Sequence, residues 1–204
     1  MIFWLLFLPG VSPAPATQEI ISFDTLSSLS RVLLHDAPAL LIILYLLFKG
    51  KKPAEVGFGR PKKAEILLAL FSLAALVLIA LCIALLTNLF PSVNAAPIVE
   101  APRGLWAWIS MLFSALATGY LEETYFRAYL FTRLKGAGVD PKRSVLVSVL
   151  LFALCHLYEG PWGVLNASLA ALVLSISYLY RKSVHAPAWA HAFYNALVYL
   201  SGAF

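Results

Sequence analysis

The sequence predicts an all-α fold, a polytopic membrane helix bundle of about six transmembrane helices preceded by a short N-terminal apolar segment. Three observations predict it. Of 204 residues, 61% are hydrophobic and 12% charged, about half the charged share of an ordinary soluble domain, and mean hydropathy is +0.85. The apolar residues fall in runs long enough to cross a hydrocarbon core of about 30 Å. The basic residues collect in short loops between those runs, which records membrane topology. Length suits a single integral-membrane domain, 1–204. The net charge of +5 sits at span ends, so it argues against nucleic acid as a partner and for the lipid bilayer.

Residues 1–11 are apolar but too few to span as a helix, and they lack the basic start of a signal peptide. Residues 12–30 carry Pro13, Pro15 and a Ser/Thr-rich tract and read as a loop or short interfacial helix. The first span runs from about Arg31 to Phe48, interrupted by His35, Asp36 and Pro38. A basic loop with Lys49, Lys51, Lys52, Arg60, Lys62 and Lys63 follows. The second span covers roughly Glu65 to Phe90, then a proline-containing stretch fills 91–104. The third runs from Leu105 to about Thr132. Asp140-Pro141 is a helix start, a cap residue followed by proline in the first turn, so the fourth span runs about 141–158. Gly160-Pro161 turns the chain into a fifth span at about 162–180, and a sixth extends from Ala186 to Ala203.

Loops 49–63, 133–143 and 181–183 hold the basic residues, whereas 91–104 and 158–161 hold Arg103 alone. The positive-inside rule makes the basic face cytoplasmic. The expectation is a multi-pass integral membrane protein, in the cytoplasmic membrane if the source is prokaryotic. Cys82 and Cys155 both lie in apolar segments, so no disulfide framework is implied. Cys155 neighbours His156 but reads as a packing thiol before a nucleophile.

Ionisable groups sit well inside three of the last four apolar runs. Span three has Glu122, Glu123 and Arg127, span four has His156, and span six has His191 and Asn195. At 1.5 Å per residue, Glu122 lies roughly 17 Å from Arg133 and His156 roughly 20 Å from Arg143. His191 and Asn195 lie roughly 15 and 20 Å from Arg181 or Lys182. Side chains on three helices thus reach one level near the midplane, where charge is costly and marks function. Glu123 and Arg127 are i, i+4 and pair on one face. Glu122 points about 100° away and is left free. Phe152 and His156, and His191 and Asn195, share faces in the same way.

These residues carry a resemblance. Glu122-Glu123-xxx-Arg127, Phe152-xxx-His156 and His191-xxx-Asn195, in that order on successive hydrophobic segments, resemble the motifs of the CPBP family. This is the family of CAAX-protease and bacteriocin-processing intramembrane proteases, and the motif-bearing core here is about 105–203. The resemblance implies an intramembrane endopeptidase that hydrolyses a peptide bond of a membrane-associated peptide or protein substrate. It implies that Glu122 and His156 activate the water while His191 and Asn195 stabilise the oxyanion. Glu123 and Arg127 support them.

The chemistry agrees with these roles. Desolvation and the adjacent Glu123 charge make Glu122 a better base, pairing with Arg127 orients Glu123, and Asn195 donates an N–H while neutral. On the resemblance the enzyme is glutamic-type with no cofactor. Zinc stays open, with Glu122, His156 and His191 as the alternative three-ligand set. His35 and Asp36 lie at comparable depth in span one. They either line the same cavity or, on the favoured reading, Asp36 caps a helix broken at Pro38. Aligned Glu and His residues also make proton relays, so the alternative function is a proton- or ion-coupled transporter.

Overall fold

The computed structural model describes residues 20–21, 24–89, 98–99 and 102–201. The N-terminal apolar segment, most of the 91–104 stretch and the end of the expected sixth span lie outside them. The fold is all-α and largely helical. Among the described residues the strand content is one two-residue parallel pair, β1 (Ile20–Ile21) with β2 (Ile98–Val99).

Helix α1 (Thr25–Arg31) starts where the Asp24 carboxylate accepts from the backbone N–H of Ser27 at 2.9 Å. It passes through one π-helical turn, Val32–Asp36, into α2 (Ala37–Phe48). The expected break at Pro38 does not occur. Asp36 has right-handed helical dihedrals and makes no capping hydrogen bond, and Pro38 is taken up in the first turn of α2. The wider turn re-spaces the backbone hydrogen bonds, with the Ala37 N–H reaching the Val32 carbonyl. The first span therefore begins six residues earlier than expected and runs Thr25–Phe48.

Helix α3 (Lys63–Leu89) follows the basic loop. Helix α4 (Leu105–Glu123) leads through a second π-helical turn, Thr124–Tyr129, into α5 (Leu130–Gly136). Helix α6 (Pro141–Leu154) begins as expected, with the Asp140 side chain accepting from the N–H groups of Lys142 and Arg143. It ends four residues early. The chain leaves α6 after Leu154 and makes a 3-10 turn at Leu157–Glu159, so His156 lies beyond the helix. Helices α7 (Gly160–Arg181) and α8 (His185–Ser201) complete the bundle.

Among the described residues, three helical segments are long and apolar enough to cross a membrane, Thr25–Phe48, Lys63–Thr87 and Leu157–Arg181. Helices α6 and α8, of 14 and 17 residues, fall short of the roughly 20 that a perpendicular span needs. Large apolar side chains cover much of the surface, as membrane embedding requires, and small or polar residues line the buried face of α4. On α4, Trp106, Ile109, Leu112, Phe113 and Leu116 face outward while Ser110, Ser114, Ala115, Thr118 and Gly119 are buried.

All three basic loops meet at one end of the bundle. Arg133 donates to the Leu46 carbonyl at the end of α2 (2.6 Å), a cation satisfying a helix C-terminus. Arg181 meets Glu65 at the start of α3 (3.4 Å). The Val184 N–H bonds the Gly57 carbonyl, and the His185 Nε2–H donates to the Gly59 carbonyl at 2.9 Å. The His185 Nδ1 then accepts from the Tyr120 hydroxyl at 3.0 Å. These contacts lock the loop between α2 and α3 onto the start of α8.

The site depends on how closely α4 and α8 approach. A Cβ on Gly119 would stand 2.9 Å from the Ala188 carbonyl and 3.1 Å from the Ala192 Cβ, so glycine here faces alanines one turn apart. Small residues of this kind let membrane helices meet backbone to backbone. Glu123 lies one turn on from Gly119, and His191 lies within the Ala188–Ala192 turn. Gly119→Ala is expected to destabilise the protein by about 1–3 kcal/mol and to reduce activity, because the clash is with backbone. Thermal unfolding in detergent, beside an activity assay, checks both.

Candidate active site

The π-helical turn Thr124–Tyr129 follows the carboxylate pair directly, and such turns recur at functional sites because they re-aim side chains. It is tied to two neighbouring helices. Ser148 on α6 donates to the Phe126 carbonyl at 3.1 Å, and Arg127 Nη2 reaches the Ala171 carbonyl on α7 at 3.2 Å. Arg127 and Glu123 are both wholly buried and joined at 2.9 Å. The i, i+4 pair is thus present, in a setting with no water to compensate a lost partner.

Glu123 does more than pair with Arg127. Its Oε1 also lies 2.9 Å from His191 Nδ1, so one carboxylate oxygen joins α4 to α8. Nδ1 must be protonated to donate there, which fixes the ring and turns Nε2 toward Glu122. Nε2 stands 3.8 Å from Glu122 Oε2, within ionic reach but beyond a hydrogen bond. Glu122 is free of Arg127, as the helical angle requires, and its ionic partner among the described residues is His191.

Phe152, buried at the end of α6, organises the other side. Its ring centroid lies 5.0 Å from the Arg127 guanidinium, 5.0 Å from the Phe126 ring, 5.9 Å from His191 and 4.5 Å from His156. His156 stacks on it, and the His156 Nδ1–H donates to the Phe152 carbonyl at 2.7 Å. That leaves Nε2 facing Glu159 at 3.9 Å. His156 reaches the cluster through an aromatic ring and not through Glu122. The cause is the early end of α6, which places His156 at φ −110°, ψ 13°. Asn195 is half-buried one turn beyond His191 on α8.

Glu122 also borders a cavity of about 20 Å³, whose walls include Asp36, Thr118, Arg31, Tyr125 and Cys155. Asp36 was expected at a helix cap and is found here instead, with its Oδ2 accepting from the Thr118 hydroxyl at 3.0 Å. Thr118 is i−4 to Glu122, so the sequence does place it on the carboxylate's face of α4. What no spacing rule gives is the partner from another helix. The half-buried Asn166 on α7 donates to the Tyr194 hydroxyl at 3.0 Å, a packing role between α7 and α8.

Among the described residues, no group of three or more His, Cys, Asp or Glu side chains is arranged to hold a metal ion. Glu122 and His191 face one another, but His156 turns away toward Glu159, so the three do not form a zinc ligand set. His191→Gln tests this directly. An amide is a poor zinc ligand but keeps a hydrogen-bond donor. Loss of about tenfold in activity is expected, less than the 10²–10³-fold cost of removing an oxyanion donor outright. Zinc per chain should be the same in variant and wild type. One tightly held zinc in the wild type, lost together with all activity in the variant, would require a metal mechanism.

An all-α membrane-embedded bundle with a buried Glu/His cluster at the meeting of α4, α6 and α8 narrows the class to membrane enzymes or carriers that work at such a cluster. Residues 104–197 match the family described as Rce1-like, type II CAAX prenyl endopeptidase Rce1-like. That match covers somewhat less than half of the chain, and it contains every motif residue above. No curated protein and no solved structure matches the chain.

Proposed function

We propose that this protein is an intramembrane endopeptidase, of glutamic type, that hydrolyses a peptide bond of a membrane-associated substrate with a water activated at Glu122. The observation that carries the reading is the linked pair of carboxylates, one held in a structural ion pair and the other left free beside a histidine and a cavity. Two adjacent acids in different environments take different roles.

Glu122 accepts a proton from the water as its oxygen bonds the carbonyl carbon. The carbonyl π electrons move to the oxygen, and His191 Nε2–H and the Asn195 amide stabilise that oxyanion. With His191 as imidazolium, the Glu122, Glu123, Arg127 and His191 charges sum to zero, which suits burial. The oxyanion then collapses, the C–N bond breaks, and Glu122 returns its proton to the leaving amine. The family pattern assigns His156 to the same water. For that contact its ring must swing off the Phe152 carbonyl, which its position beyond α6 permits.

The basic loops gathered at one end are proposed to face the cytoplasm, with about six spans crossing between the two faces. Substrates of the implied class include prenylated CAAX tails, bacteriocin leaders, C-terminal sorting signals and membrane regulators. Comparative proteomics of membranes carrying native protein or the Glu122→Ala form tests the reading. A peptide cut only with the native protein is expected, and identical peptide sets would refute it.

A further inference from the structure

We infer that the groove between α3 and α7 is a binding site for one anionic phospholipid of the bilayer, held by its acyl chain and its headgroup phosphate. The inference rests on the membrane-embedded fold and is independent of the peptidase reading.

The groove is built into two membrane-crossing segments, Lys63–Thr87 and Leu157–Arg181. Its walls include Leu68, Ser72 and Ala75 of α3 and Val173, Ser177 and Tyr180 of α7, and its volume is about 330 Å³. That is the size of a ligand pocket. Small side chains at a crossing normally let two membrane helices close on each other. Here Ser72, Ala75 and Ser177 leave a space instead. Ala75 lies about 15 Å along α3 from Glu65 at 1.5 Å per residue, which is half of a hydrocarbon core of about 30 Å. The groove therefore reaches through one leaflet, the depth that an acyl chain occupies.

Two donors on this face of α7 lack an acceptor. Ser177 is 2% exposed, and its hydroxyl has no hydrogen-bond partner among the described residues. Ser168 on the same helix returns its hydroxyl to the Val164 carbonyl at 2.7 Å, a common solution for serine in a membrane helix. Ser177 does not. Arg181 follows one turn later on the same face. Its Nη2 reaches Glu65 at 3.4 Å, while its Nε is buried without a partner among the described residues. Unmet donors at membrane depth are costly, and an acceptor from outside the protein relieves both.

Charge selects the ligand. The helix ends that frame the mouth of the groove carry Lys62, Lys63, Arg181 and Lys182, opposed by Glu65. Glu65 already accepts from the Lys62 N–H at 2.8 Å and meets Arg181, whereas the three lysines are exposed. The mouth thus keeps an excess of positive charge at headgroup level, where basic pockets between helices recognise anionic lipids. A phospholipid presents its groups in the matching order. Its phosphate meets Arg181 and the lysines, and its ester carbonyl, about one helical turn deeper, accepts from Ser177. Its chain then runs past Val173 and Ala75.

The test uses the full chain purified in neutral detergent and reads the thermal midpoint with phosphatidylglycerol or phosphatidylcholine of identical chains added. Phosphatidylglycerol at ten times its Kd should raise the midpoint by about 4 °C, and phosphatidylcholine at the same concentration by less than half as much. Ala75→Phe, which fills the groove, should remove both rises. Arg181→Gln should bring the phosphatidylglycerol rise down to that of phosphatidylcholine. Equal rises with the two lipids in wild type would overturn the inference, and this comparison decides alone if either variant fails to fold. A phosphatidylglycerol rise unchanged in both variants would also overturn it. Loss of a dimer in Ala75→Phe, with the lipid response intact, would assign the groove to a second copy of the chain and overturn it as well. No peptide cleavage enters the readout, so failure of the peptidase reading leaves this result standing.

Discussion

Glu122→Gln is expected to abolish turnover, by 10²–10⁴-fold for loss of a general base, while leaving the fold nearly as stable as before. The variant keeps shape and volume. Glu122 stands 3.8 Å from His191 Nε2, beyond hydrogen-bond distance, so neutralising it breaks no short contact to a protein group. Its loss removes the acceptor for the water proton, and neither Glu123 nor Asp36 can replace it. Glu123 is committed to Arg127 and His191, and Asp36 to Thr118 and His35. Unfolding in detergent should give a midpoint within about 4 °C of wild type, the shift worth roughly 1 kcal/mol at this size.

Glu123→Gln is expected to fail in the opposite way, by loss of structure. It leaves the wholly buried Arg127 without its counter-charge and weakens the 2.9 Å bond to His191 that ties α4 to α8. Breaking one side of a buried ion pair costs about 3–5 kcal/mol. Arg127 keeps its bond to the Ala171 carbonyl and its seat over Phe152, which soften the loss without replacing the charge. Activity should fall as well, because His191 loses the group that orients it. Urea or thermal unfolding of the two glutamine variants side by side separates these roles. Equal stability losses would mean that the free and the committed carboxylate are wrongly assigned.

The contrast between the two glutamates was legible in the sequence because it is a local matter. An i, i+4 spacing puts Glu123 on Arg127 and turns Glu122 away, and the structure keeps both results. The Asp140-Pro141 start of α6 was legible for the same reason. The link from His191 to Glu123 was not, since it joins helices whose relative rotation depends on the close passage of Gly119 past Ala188 and Ala192. Matching depth indicated that these residues belong together but could not say which nitrogen meets which oxygen.

The misreadings share a cause. A π-helical turn adds one residue to a turn and leaves an apolar run looking helical, so neither Val32–Asp36 nor Thr124–Tyr129 shows in the hydropathy pattern. Asp36 two residues before a proline imitates a helix start, and its partner Thr118 lies 82 positions away. His156 looked helical because Phe152-xxx-His156 has helical spacing. The two rings do stack, yet the chain between them has already left the helix.

The central claim is that Glu122 activates water against a peptide bond, and isotope incorporation measures that event itself. Wild type and Glu122→Gln, reconstituted in membranes, are given the cut peptide's precursor in ¹⁸O-enriched water, and the products are weighed by mass spectrometry. One ¹⁸O in the newly formed C-terminal carboxylate is expected with wild type, and no product with Glu122→Gln. Cleavage by Glu122→Gln at the wild-type rate, or a wild-type product without ¹⁸O, would contradict it.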